Sequence, residues 1–318
     1  MKDFNVNVAV LLIFFSRPDK FEKVFEQVRK ARPSKLFLYQ DGPRESRPDD
    51  VEGIKACRDI AESIDWECEV YRNYQERNVG CDPSEYNAIK WMFSNVDKGI
   101  ILEDDDVPSV SFFSFCKEML DRYEHDTRIF KISGMNNFGK MNEDYASYFF
   151  TPLSSIWGWA TWRRCVEMYD TEYSFLSEPY LQKNMSLQYM EFSQKFGTCK
   201  WHKESGKAYY ESILWNTQTS NNMLNIVPSV NLITNIGIGA NGTHSGESTD
   251  LMDKMSKTLF YSKRYEMNFP LRHPDQVVPD LVYYKKMCEL FGYSNPLLQK
   301  KRHLEVRILK LKKKFSRK

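Results

Sequence analysis

The sequence lacks several features that would give a function away. Its longest apolar run, Val8 to Phe15, is far short of the roughly 18–20 residues that a membrane-crossing helix needs. The seven cysteines (57, 68, 81, 116, 165, 199 and 288) are an odd number, and no two are spaced as a CxxC pair. That argues against both a disulfide framework and a zinc site. Glycines 237, 239, 242 and 246 cluster, but no Gly-Lys-Ser/Thr follows them, so they are not a Walker loop. There are no internal repeats and no low-complexity segment apart from a basic end. Sequons begin at Asn184 and Asn241, but they carry no weight without secretion. The apolar run after Met1-Lys2 meets no small-residue cleavage site, and Ser16-Arg17-Pro18 reads as a strand exit, so the chain is expected to stay untranslocated.

Net charge is also small. Lys+Arg number 45 and Asp+Glu 43, for a formal +2. The distribution is uneven: ten of the basic residues and only Glu305 of the acids lie in 300–318, which gives this tail about +9 and leaves the body at about −7. An acidic body argues against a nucleic-acid-binding domain. The tail argues for an anionic surface, with a membrane as its partner. Leu304, Ile308, Leu311 and Phe315 fall at helical spacing among the cations, as in a basic amphipathic helix at an interface. The alternative is a solvated, charged end. What the chain does have is ample core: 318 residues, 42% hydrophobic and 14% aromatic. That excludes wholesale disorder and suggests one large α/β domain or two modest ones.

Val8 to Phe15 is continuously apolar, as a strand buried on both faces should be. Phe21, Val24, Phe25 and Val28 then follow at helical spacing. Lys35 to Tyr39 reads as a strand ending in the turn Gln40-Asp41-Gly42-Pro43, and Asp50 to Ile64 reads as a helix. Cys68 to Tyr71 is a third short strand, and Pro83 to Phe93 a further helix. Gly99 to Leu102 is a strand running straight into Glu103-Asp104-Asp105-Asp106, and Phe112 to Tyr123 is helical. This alternation predicts a parallel sheet with helices on both sides. In such sheets ligands bind beyond the C-terminal strand ends. Three polar clusters fall there: Ser16-Arg17, Gln40-Asp41-Gly42 and Glu103 to Asp106. After about residue 130 the pattern is less regular, and aromatics and Asn/Gly turns dominate, as in a substrate-binding half.

Four carboxylates after a buried strand are the strongest chemical signal. Like charges this close repel and raise one another's pKa values. A divalent cation is the cheapest relief, and hard oxygen ligands suit Mg²⁺ or Mn²⁺, which in turn bind substrate phosphates. The alternative is a solvated acidic turn that caps the following helix.

Glu103-Asp104-Asp105 after an apolar strand, with Phe112-Phe113 soon after, resembles the metal motif of GT-A-fold glycosyltransferases. Ser16-Arg17-Pro18, Gln40-Asp41-Gly42, Arg77-Asn78-Val79-Gly80-Cys81, Ser155 to Trp162, and Val230 to Gly237 with Thr243-His244 continue the likeness in order. Together they resemble the N-acetylglucosaminyltransferase I family and its bacterial relatives over about residues 8 to 246. The resemblance implies an α/β, Rossmann-like GT-A (nucleotide-diphospho-sugar transferase) fold. It implies a domain over 1–270, with a nucleotide-sugar-binding half at 1–130 and an acceptor-binding half at 131–270, and a C-terminal extension at 271–318. It implies Asp105 as direct metal ligand, Glu103 and Asp104 on donor ribose and sugar, and Arg17, Asp41, Asn78 and Gly80 around the nucleotide. Asp106 replaces an apolar residue of the eukaryotic enzyme and has no assigned role.

An inverting transferase needs one carboxylate to take the acceptor hydroxyl proton. Counting back from Pro228 to the family's base position gives Glu211, a Glu where the relatives have Asp; its alternative role is that of an N-terminal helix acid. Asp170 and Glu172 are the next candidates. His244 is either a donor-phosphate or metal-shell residue or an exposed loop histidine. Of Trp157, Trp159 and Trp162, one or two are expected to line the site, with Trp159 named among the donor-binding residues; the rest would be core. The expected function is therefore metal-dependent, inverting transfer from a nucleotide sugar, a UDP-sugar, to a glycan or lipid-linked acceptor in surface polysaccharide synthesis. The expected place is the cytoplasmic face of a membrane, held peripherally. The rival readings are a sugar-nucleotide nucleotidyltransferase, which should show a Gly-rich basic loop after the first strand, and a carbohydrate-binding protein without turnover.

Overall fold

A computed structural model describes residues 2–3, 5–238, 254–293, 304 and 307–308, with the side chains of 254, 256 and 257 excepted. Among these residues, ten strands form two sheets. The strands are β1 (Val6–Phe14), β2 (Pro33–Gln40), β3 (Glu69–Tyr74), β4 (Lys98–Glu103), β5 (Asp106–Pro108), β6 (Ile129–Ser133), β7 (Tyr148–Thr151), β8 (Trp159–Trp162), β9 (Leu224–Pro228) and β10 (Ile233–Asn235). Four helices alternate with the first strands: α1 (Pro18–Ala31), α2 (Asp50–Ala61), α3 (Cys81–Asn95) and α4 (Ser111–Arg122).

The large sheet has the order β3-β2-β1-β4-β8-β6-β9-β7. β8 and β7 run opposite to the other six strands, so the sheet is mostly parallel. This is the expected α/β class. The apolar residues of β1 are buried from Val8 to Phe14, which is why the run shows no alternation. α1 begins at once, with Pro18 in its first turn, where a missing N–H costs nothing. Its stripe of Phe21, Val24, Phe25 and Val28 is buried, and Phe21 stacks on Phe14 at 4.3 Å.

The chain goes outward from β1 to β2 and β3, then returns to place β4 on β1's other side. β1 and β4 are therefore the point where strand order reverses, and the crevice beyond their C-terminal ends is where open α/β sheets bind ligands. The register aligns these ends: Ile13 pairs with Glu103, Phe14 with Gln40, and Gln40 with Tyr74.

Downstream, β8 inserts antiparallel between β4 and β6. Residues 271–293, expected to belong to a C-terminal extension, pack on the far sheet edge. Tyr283 and Met287 of the helix Leu281–Phe291 are buried against Phe149 and Val227. In the tail, Leu304, Arg307 and Ile308 are helical and exposed, and the rest of 300–318 lies outside the described residues. No described helix is long and apolar enough to cross a membrane.

Candidate active site

Arg17, three residues past β1, reaches across to β4. Its Nε donates to Asp104 Oδ2 at 3.2 Å, and its Nη2 donates to Asp104 Oδ1 and to Asp105 Oδ2, the latter at 2.8 Å. This two-pronged contact with one carboxylate is the geometry a guanidinium fork favours. Burial works against the Arg17 charge, but Asp104 and Asp105 more than offset it and hold the guanidinium above its ordinary value. Burial also pushes the Asp104 carboxyl up, against the pull of Arg17. Beside them the buried Lys20 donates to the Gly237 carbonyl at 2.7 Å.

Asp105 and Asp106 are separated by an amide. Asn235 Nδ2 donates to Asp105 Oδ1 at 3.0 Å and to Asp106 Oδ1 at 2.9 Å. The short antiparallel pair β5–β10 puts Asn235 opposite Asp106. Asp106 Oδ2 also accepts from the Gly158 N–H at 2.8 Å. Fully buried, Asp106 is pushed well up by desolvation and by Asp105. It ties β10 and the loop before β8 to the end of β4, a framework role that the sequence left unassigned.

Asp41, Asn78 and Gly80 are brought together, in an unexpected way. Asp41 Oδ1 accepts from the N–H groups of Gly42 (2.9 Å) and Val79 (3.0 Å), and Oδ2 accepts from Asn78 Nδ2 (2.8 Å) and the Gly80 N–H (3.0 Å). A carboxylate has about four acceptor positions. Asp41 is thus engaged in shaping the 77–80 loop rather than turned to a nucleotide. Gly80 has φ +93 at the start of α3, a conformation open to glycine and costly for other residues.

Glu103 accepts from the Tyr210 hydroxyl at 3.1 Å, which joins the acid cluster to the helix Tyr210–Ser220. Desolvation, then Glu85, Asp106 and Asp105, push the Glu103 carboxyl well up. Glu85 was missed by the sequence reading. It is 7% exposed, accepts from Cys81 Sγ at 3.2 Å, and is pushed up to about 8 by burial, with Glu211 and Asp82 adding to the shift. A signal for it existed: Glu85 falls on the same stripe of α3 as Ala88, Ile89 and Met92, so an acid occupies a core-facing position. Glu211, the expected base, is exposed in the first turn of its helix, within electrostatic reach of Glu85. Asp170 caps a turn instead, accepting from the Ser174 N–H at 2.7 Å and from Asn216 Nδ2 at 3.0 Å.

Trp159 does not line the crevice. It is 1% exposed because β8 is an interior strand, held between β4 and β6. Trp162 is likewise core, its indole donating to the Leu120 carbonyl at 3.0 Å. Trp157 is the half-buried member, tilted against Phe260 at 4.7 Å. His244 lies outside the described residues.

No group of three or more His, Cys, Asp or Glu side chains among the described residues is arranged to hold a metal ion. Asp105 nonetheless suits a one-carboxylate site. Each of its oxygens accepts one of the described donors, leaving acceptor capacity on a hard ligand amid crowded negative charge. The other coordination positions would have to come from phosphate and water oxygens.

No known family matches the sequence, and no curated relative matches it. Solved structures do resemble it. One is 4-diphosphocytidyl-2C-methyl-D-erythritol synthase from Anaerococcus prevotii, with 11% identity, a TM-score of 0.32, and coverage of 54% of this chain and 78% of that one. Another is apo UDP-glucose pyrophosphorylase, with 10% identity, a TM-score of 0.35, and coverage of 71% and 93%. Both names carry a nucleotide-linked compound. At this level of likeness, neither reaction transfers to this chain.

Proposed function

We propose that this chain is a nucleotide-sugar-dependent glycosyltransferase of the metal-dependent, inverting kind. One observation carries the reading. At the crevice where strand order reverses, four consecutive acids run from the last residue of β4 to the first of β5, and an arginine just past β1 grips two of them. Four crowded carboxylates face Arg17 and Lys20, and their burial and mutual repulsion push Glu103, Asp104 and Asp106 toward the protonated form, which a bound cation would relieve. Such a site favours a cation and, through it, a diphosphate.

In this reading Asp105 holds Mg²⁺ or Mn²⁺, whose chemistry is to neutralise the leaving diphosphate. Glu103 and Asp104 face the donor's sugar and ribose. The loop that Asp41 fixes, with Asn78 and Gly80, borders the nucleotide. Glu211 takes the proton from the acceptor hydroxyl as its oxygen bonds to C1 and the bond from C1 to the diphosphate oxygen breaks. The donor is a UDP-sugar and the acceptor a glycan or a lipid-linked glycan at a cytoplasmic membrane face, with the basic tail on anionic lipid.

Nucleotidyl transfer is the rival on a related sheet. It calls for a basic, Gly-rich loop after the first strand. Here β1 runs through Phe15-Ser16-Arg17 into Pro18 of α1, which leaves no such loop. The reactions differ in products. UDP-, GDP-, CMP- and dTDP-sugars are incubated with Mn²⁺ and candidate acceptors, and separately with pyrophosphate. Release of nucleoside diphosphate (or CMP) with an inverted glycosidic product supports the proposal. Pyrophosphate-dependent formation of nucleoside triphosphate would overturn it, and binding without turnover would point to the non-catalytic alternative.

A further inference from the structure

Trp201 is 58% exposed, in the helix Phe192–Ser205. It sits at the edge of a ring cluster, tilted 50° to His202 and 38° to Tyr209. His202 lies against Tyr209 at 3.7 Å with 13° between the planes, and Trp201 lies 4.9 Å from His202 and 5.6 Å from Tyr209. The buried His202 is anchored by its Nδ1, 2.6 Å from Ser212 Oγ. The cluster therefore has an inner stacked pair, His202 and Tyr209, held by a hydrogen bond, and an exposed indole tilted against it. Such a surface is organised before any ligand arrives, which lowers the cost of binding.

Its position matters. Tyr209 begins the helix Tyr210–Ser220. The next residue, Tyr210, reaches Glu103 at 3.1 Å, and the one after is Glu211. Three successive residues thus hold the aromatic stack, the link to the acid cluster and the proposed base.

We infer that Trp201, backed by Tyr209, is the stacking platform for a pyranose ring of the acceptor, an inference that rests on the transferase reading above. The apolar C–H face of a pyranose matches an indole face, and its hydroxyls need polar neighbours. Lys200, Lys203 and Glu204, all exposed, flank the ring in sequence. A protein partner fits less well, because it would require a contiguous apolar patch of several hundred Å² rather than one ring among charges.

The test uses the full chain labelled with 5-fluorotryptophan, with the Trp201 fluorine resonance assigned through Trp201→Phe. The probes are the methyl β-pyranosides of glucose, galactose and N-acetylglucosamine, with sorbitol as an acyclic control. At least one pyranoside should shift the Trp201 resonance saturably, and sorbitol should not. Trp201→Ala should raise the acceptor KM by roughly ten-fold with donor KM and kcat unchanged, and Trp201→Phe should restore much of the loss, as expected for a stacking contact. Pyranosides that move the resonance no more than sorbitol does overturn the platform. Turnover of a nucleotide sugar with a silent Trp201 overturns the platform alone. A responsive Trp201 in a protein that binds no nucleotide sugar keeps the platform as a sugar site and overturns the transferase reading.

Discussion

On the β1–β4 side of the crevice the acids are held by partners before any ligand arrives. Arg17 grips Asp104 and Asp105, Asn235 divides Asp105 from Asp106, and the Gly158 N–H completes Asp106. On the side of the helix Tyr210–Ser220, Glu211 and Trp201 are exposed at the surface. Glu103, at the end of β4, joins the two sides through the Tyr210 hydroxyl, and both it and Glu85 are pushed toward the protonated form. The contrast fits a division of labour. A diphosphate and its cation bring charge that a rigid frame can wait for, because preorganised dipoles cost no reorganisation when the ligand binds. In the proposed reading an acceptor sugar, which is neutral, would be met by a ring and one carboxylate.

The strongest way to break this picture is Asp105→Ala. Turnover should fall to background in Mn²⁺, while melting without metal stays level or rises slightly, because one of four crowded charges is gone and Arg17 keeps Asp104. Near wild-type transfer by this variant would remove Asp105 from the metal.

Glu211→Gln tests the other side. It should lower kcat by roughly 10²–10⁴ with donor affinity unchanged, the usual scale for a general base. A collapse of donor binding in calorimetry would instead put Glu211 on the donor side, and the contrast would fail.

Between them, Glu85 makes a pH-dependent prediction. The folded chain holds its proton up to about 8, against an ordinary 4.5 in the unfolded chain. Over that window the folded state binds more protons than the unfolded one, so this group's contribution to stability falls as pH rises. Glu85→Gln should therefore match the wild type near about pH 4.5 and melt higher near about pH 9. Melting curves that run parallel across the range would show that Glu85 ionises freely.

The smallest effect on chemistry is expected at the tail. Deleting 300–318 should leave activity on a soluble acceptor analogue intact and weaken co-sedimentation with anionic vesicles, more so at low salt, since each cation near such a surface contributes about 1 kcal/mol. Equal pelleting of full-length and shortened protein would make the tail a solvated end.

Much of this was legible in the sequence, for a physical reason. Strands buried on both faces are apolar throughout, so the point where β1 gives way to Arg17, or β4 to Glu103, shows as an abrupt change of composition. That change marks strand ends, and strand ends mark the crevice. Direction and partnership do not show in the same way. Nothing in Gln40-Asp41-Gly42 says that Asp41 would be saturated by the 78–80 backbone. Nothing in Ser155 to Trp162 says that β8 would slot between β4 and β6 and carry Trp159 into the core. Asn235 looks like one more turn residue until β10 pairs with β5 and sets it between two acids. These are consequences of contacts between residues about 26 to 130 positions apart, which spacing along the chain does not encode.

Gly237 follows Asn235 by two residues and donates its N–H to the Asn235 side chain at 2.8 Å. A β-carbon built on it would sit 2.6 Å from Asp105 Oδ2. That oxygen also receives Arg17, so a methyl group here would have to push aside the carboxylate proposed to hold the cation. The large sheet, its helices and the Asp41 loop would be untouched. In evolutionary terms, the proposed catalysis and the architecture would be separable here by one carbon atom. If the transferase reading holds, a duplicated gene carrying alanine at 237 would encode a protein that keeps the sheet and Trp201 but would be selected, if at all, for holding sugars rather than joining them.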